Sequence, residues 1–120
     1  MRIGVVGVCG AGKSVLVGRL NQVGYDAHEI AQEHSYVPDM WRRIHPPDVL
    51  VFLEGQYVTI MRRRPNPLMT PRLYGQMQER LRHAREHADI TVVTDDIGEE
   101  EVFGQVVARL HPPTGCQPPE

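Results

Sequence analysis

The amino-acid sequence predicts an α/β sandwich, a short parallel sheet of about four strands between layers of helix. Three observations predict it. Short apolar runs rich in β-branched residues, the pattern of strands buried on both faces, recur along the chain. Longer segments with an apolar residue at every third or fourth position lie between them. The first run passes into the first helical segment through a glycine-rich turn.

Taken in order, "IGVVGV" at residues 3–8 reads as the first buried strand. Residues 13–23 read as a helix, with Val15, Leu16, Leu20 and Val23 as its apolar stripe and Gly24 closing it. "YDAHEIA" at 25–31 is a weaker strand that passes into a turn or helix, and 32–47 reads as irregular with a short helix around 39–44 ended by "HPP". "DVLVFL" at 48–53 is the second clear strand, 56–63 reads as helical, and "RRPNPLMTP" is a loop stiffened by prolines. A long helix is expected over 72–89, with Leu73, Met77, Leu81, Ala84 and Ala88 on one face. "ITVVT" at 90–94 is the next strand. The last helix, 99–110, opens with Glu99, Glu100 and Glu101, which suit the positive end of its dipole, and its stripe is Val102, Phe103, Val106, Val107 and Leu110. Residues 1–110 are thus expected to form one domain, and the proline-rich tail 111–120 to be disordered.

Composition bounds the partners. A chain of 120 residues, 41% hydrophobic and 23% charged, suits one globular domain. A formal net charge of −2 gives no electrostatic ground for nucleic acid as a partner. Arginines nonetheless cluster at Arg42-Arg43, at Arg62-Arg63-Arg64 and from Arg72 to Arg85, as local anion sites or as solvated helix faces. No apolar run approaches the ~20 residues of a membrane span. "MRIGVVGV" goes straight into a strand, so neither membrane nor signal peptide is expected. Cys9 lies in the glycine-rich turn and Cys116 in the tail, which predicts free thiols and a cytoplasmic setting. Cys9 itself reads as either a reactive thiol or the filler of a small-residue slot, the second being preferred.

The turn carries the chemistry. Gly7, Gly12, Lys13 and Ser14 match G-x-x-x-x-G-K-[ST] throughout. Glycines let backbone N–H groups turn inward on a phosphate chain, Lys13 reaches the β/γ-phosphates, and the Ser14 hydroxyl binds Mg²⁺. With Gly10, Ala11 and Val15 completing the cradle, and the following helix aiming its positive end at it, the motif predicts binding of ATP with Mg²⁺. It lies between an expected strand and an expected helix, as that mechanism requires.

Beyond the loop the sequence resembles the P-loop kinases of small molecules, most closely the dephospho-CoA kinase family. The resemblance rests on "GVCGAGKSVLVGRLNQVGYDAHEIAQE", "PDVLVFLEGQYVTIMRRR" and "AREHADITVVTDDIGEEEVFGQVVARLH", about two-thirds of the chain, of which only the first is specific. It implies a minimal P-loop NTPase fold and an ATP-dependent phosphotransferase. Arg63 matches the family's lid arginine, with Arg62 and Arg64 beside it, and a later arginine falls near Arg80 or Arg82. A solvated helix end is the plain alternative for the arginine triplet.

Two departures qualify what the resemblance implies. His28 stands where the family places the second aspartate of Asp-Ala-Asp, so His28 is either the general base or a polar residue at a strand end. Between Glu33 and Asp48 the family's helical acceptor region and a further strand are missing, which removes the CoA-type acceptor site. Asp26, Glu29 and Glu54 are the carboxylates left to support Mg²⁺; Asp26 is preferred because it leaves a strand beside the loop. The remaining middle segment offers Tyr36, Trp41, Arg42 and Arg43 to line a pocket for an unidentified small acceptor, although Trp41 equally suits a core position. The expected catalytic set is Lys13, His28 and Arg63. The alternative is a catalytically weak nucleotide-binding module acting through a partner or as a homodimer. A GTPase switch fits poorly, because "VTDD" stands where a guanine-reading Asn/Thr-Lys-x-Asp motif belongs.

Overall fold

A computed structural model describes residues 1–43 and 45–110. The expected disordered tail therefore lies outside the described residues, as does Cys116. The elements are β1 (Arg2–Gly7), α1 (Lys13–Gln22), β2 (Asp26–Glu29), 3-10 turns at Gln32–His34 and Met40–Arg42, β3 (Val49–Glu54), α2 (Tyr57–Arg63), α3 (Pro71–Arg80), α4 (Arg82–His87), β4 (Ile90–Val93) and α5 (Glu99–Leu110).

The fold is α/β, with one four-stranded sheet in the order β2-β1-β3-β4. All three strand pairs are parallel. β1 and β3 are buried along almost their whole length, which is why both read as unbroken apolar runs. The chain leaves β1 toward β2 and leaves β3 toward β4, in opposite directions. Right-handed crossovers then set α1 on one face and α3–α4 on the other. α5 returns to the first face and packs against α1. Val5, Val6, Leu16, Leu20, Leu50, Phe52, Leu81 and Val106 are buried to 2% exposure or less, forming one core with apolar residues of both faces.

As the sequence predicts, among the described residues no strand stands between β2 and β3, and β2 pairs with β1. Other expectations shift. The long helix of 72–89 is two helices meeting at Leu81, whose φ of −91° and ψ of −4° depart from helical values and whose N–H is shared between the carbonyls of Met77 and Gln78. Leu81 is fully buried, so the bend keeps Met77, Leu81 and Ala84 all in the core. The short helix at 39–44 is a single 3-10 turn, Met40–Arg42. Val23 leaves the expected stripe of α1: it is the C-cap and 59% exposed.

Candidate functional site

In an open parallel sheet, a crevice forms outside the carboxyl ends of neighbouring strands whose connections leave in opposite directions. Here those strands are β1 and β3. A cleft of about 730 Å³ opens at that end, floored by residues 9–16 and walled by Glu29, Glu33, His34, Arg63, Arg64, Thr94 and Ile97.

The glycine-rich turn builds the floor. Gly7 is needed for close approach, since a Cβ there would lie 2.8 Å from the Leu53 carbonyl oxygen of β3. Gly10 and Gly12 take φ of 93° and 100°, the left-handed region that other residues enter only at a cost. Gly12 is also the N-cap of α1 and offers no side-chain cap. The first helical bond runs from the Leu16 N–H to the Gly12 carbonyl, so the amides of Lys13, Ser14 and Val15 have no intrahelical acceptor. They open onto the cleft with the partial positive charge of the helix end. Ser14 is exposed there, and so is the free thiol of Cys9.

Lys13 is 8% exposed, and its ammonium donates to the Gly7 carbonyl at 2.7 Å and to the Glu33 carboxylate. Glu33 is 3% exposed. Its Oε2 meets Lys13 and stands 3.7 Å from His34 Nε2, while its Oε1 has no hydrogen-bond partner. The turn carrying Glu33 is fixed from behind by Gln32, which is fully buried. Gln32 donates to the carbonyls of Val37 (2.8 Å) and Arg80 (3.2 Å) and accepts from the Trp41 N–H (2.9 Å). Arg80 adds a bond from Nη1 to the Glu33 carbonyl at 3.2 Å and stacks over Tyr36.

Arg63 reaches the cleft from the end of α2, but not as a free lid residue. Its guanidinium donates to the carbonyls of Thr94, Asp95 (3.2 Å) and Ile97 (3.1 Å) and to Thr94 Oγ1 (3.3 Å). It therefore fastens α2 to the connection after β4. Arg64 lines the cleft beside it, whereas Arg82 pairs with Glu79 at 2.9 Å on the surface.

Asp26 and His28 are not brought to this cleft. The register Arg2↔Asp26 and Gly4↔His28 sets them beside the first half of β1. Gly7 lies five residues beyond Arg2, or roughly 16 Å along the strand. The two side chains bond each other instead, His28 Nε2 to Asp26 Oδ1 at 2.7 Å. His28 lines a second cavity of about 460 Å³ with Arg2, Trp41 and His45. The carboxylate that β2 delivers is Glu29, one residue after His28 and level with Val5. Glu54 is held by Arg85 at 3.4 Å and does not line the cleft. Of the expected acceptor-lining residues, Trp41 is buried and donates to His83 Nδ1 at 3.0 Å, and Arg42 and Arg43 pair with Asp39. None of Tyr36, Trp41, Arg42 and Arg43 lines the cleft.

Gly7 to Val15, Lys13 and Arg63 are thus gathered at one end of the sheet, together with Glu29, a carboxylate the sequence offered for Mg²⁺ but ranked behind Asp26, and with Glu33 and His34, which it did not assign to a site. No protein-family model matches the chain, and no characterised protein matches it either. No helix among the described residues is long and apolar enough to cross a membrane.

Proposed function

We propose that the cleft binds the polyphosphate chain of ATP together with Mg²⁺, as in the small-molecule kinases the sequence resembles. The observation that carries this reading is the convergence on one cleft of the Lys13 ammonium and the uncapped amides at the start of α1. An anionic chain laid along residues 9–15 would meet both. The volume of the cleft falls within the ordinary range for ligand sites of this size.

The residues present fit a divalent cation of the magnesium type. Hard oxygen donors line the cleft: the Ser14 hydroxyl, Glu29, and Glu33 with one buried oxygen unpartnered. Among the described residues no group of three or more protein ligands is arranged for a metal. That suits an ion held by one or two side chains, phosphate oxygens and water. Bound Mg²⁺ supplies neutralisation of the charge on the β- and γ-phosphate oxygens. Lys13 orients the same oxygens, and Thr94, Ile97 and Val102 offer a less polar end for the base.

Phosphoryl transfer to a small acceptor is the enzymatic form of this function. The catalytically weak module is a second reading that one observation favours: His28, the base implied by the resemblance, lines the other cavity. Dephospho-CoA is not the expected acceptor, because 32–47 is too short to rebuild that region. Titration calorimetry tests the binding: wild type should bind ATP with Mg²⁺, and folded Lys13→Gln should lose at least ~30-fold in affinity. Equal binding by the two proteins sinks the reading. Phosphate release faster from wild type than from Lys13→Gln would separate enzyme from module.

A further inference from the structure

Lys13 is the cation that a phosphate chain needs, and in this structure it is taken. Glu33 holds it from a position 3% exposed, and the second oxygen of that carboxylate is buried without any partner. A buried carboxylate is tolerated only while a positive charge answers it. Polyphosphate that claims Lys13 leaves Glu33 with two buried oxygens, no cation and a neighbouring anion. Among the described residues the one other basic side chain within ion-pair distance of the Glu33 carboxylate is His34, 3.7 Å away and exposed. Withdrawal is blocked as well, because Gln32 pins the turn to Val37, Trp41 and Arg80, and Arg80 bonds the Glu33 carbonyl itself. The carboxylate must therefore be answered where it stands.

We propose that Glu33 is a built-in occupant of Lys13 that admits polyphosphate only in company with a divalent cation: the phosphate takes Lys13, and the freed Glu33 carboxylate turns to the cation. This rests on the phosphate-site reading above and gives it a selectivity that the glycine-rich turn alone does not have. The unpartnered Oε1, buried on a residue that lines the cleft beside Lys13, is the group that the cation would satisfy. The charge exchange is balanced, because one carboxylate leaves one ammonium and gains one cation. It follows that the metal requirement resides in Glu33 and not only in Ser14.

The experiment is calorimetric titration of ATP into wild type and Glu33→Gln, each with Mg²⁺ and with the divalent removed by chelation. Wild type should lose ~100-fold in affinity without Mg²⁺. Glu33→Gln, with Lys13 released and no charge stranded, should bind metal-free ATP at least ~10-fold more tightly than wild type does. Its own dependence on Mg²⁺ should shrink to ~3-fold or less. An unchanged Mg²⁺ dependence in Glu33→Gln overturns the inference and leaves the phosphate site standing. Failure of wild type to bind ATP with Mg²⁺ removes the phosphate site and the inference together. Should Glu33→Gln not fold, wild type carries the test with Mn²⁺ and ATP. The Glu33 side-chain carboxyl resonance should then broaden before that of Asp26, and equal broadening of the two counts against the proposal.

Discussion

The ammonium of Lys13, at the first position of α1, is bound by the buried carboxylate of Glu33, which lies 20 residues further along the chain. The pair joins the glycine-rich turn to the 3-10 turn after β2. A buried ion pair of this kind adds little net stability, but removing one partner strands the other. Lys13→Met should therefore cost about 3 kcal/mol in urea unfolding. Lys13→Met/Glu33→Gln should recover more than half of that loss. Additive costs in the two single variants and the double would show that the two side chains are not coupled.

Two glycines of the same helix should respond oppositely to alanine. Gly12 has φ of 100° and nothing within 4 Å of a new Cβ, so Gly12→Ala meets backbone strain alone, worth about 1–2 kcal/mol of destabilisation. Gly18 lies inside α1, exposed and unobstructed. Gly18→Ala should stabilise by about 0.5–1 kcal/mol through helix propensity. Thermal unfolding of the two variants beside wild type measures both signs in one experiment.

Arg63 and His28 should separate by phenotype. Arg63→Ala removes the bonds that tie α2 to the carbonyls after β4, and should cost about 2 kcal/mol along with a weaker hold on ATP. His28→Ala and Asp26→Asn should leave affinity for ATP with Mg²⁺ within about twofold, an energy near RT. A tenfold loss in either would mean that β2 reaches the phosphates after all.

Acid should act on the turn before β3. The Arg43 guanidinium, bonding Asp39 directly, holds its carboxyl below the ordinary carboxylate value of 3.8, with Arg42 adding to the effect. Because the folded value is the lower one, the stabilisation is present above about pH 4 and is lost as pH falls through the folded value. Asp39→Asn should be less stable than wild type at about pH 6 and should converge with it near about pH 2.5. A stability gap that persists unchanged into acid would refute the assignment.

What was legible in the sequence was local. The runs that became β1 and β3 are apolar because both of their faces are covered, and such runs advertise themselves. The glycine-rich turn was legible for the same reason, since left-handed backbone at Gly10 and Gly12 and close approach at Gly7 constrain residue type position by position. α5 begins at its acidic opening, Glu99, and ends with its stripe at Leu110. The break at Leu81 was not legible, because the apolar periodicity of α3 continues into α4 without interruption. Glu33 was missed because its segment has no periodicity. The only available signal was a carboxylate shortly after a strand that leaves beside the glycine-rich turn.

Sequence alone determined the α/β class, the order of most elements and the residues that line the turn. Each of these follows from steric and hydrophobic preferences acting over a few neighbouring residues. Tertiary structure alone decided which carboxylate stands beside Lys13. The register of β2 against β1 sets Asp26 level with Arg2 and carries Glu29 toward the cleft, and only then does the chain turn to present Glu33. Side chains of neighbouring residues in a strand point to opposite faces, so a displacement of one position exchanges a residue in the cleft for one on the other side of the sheet. His28 and Glu29 are adjacent in sequence and both line the second cavity, but only Glu29 also reaches the cleft.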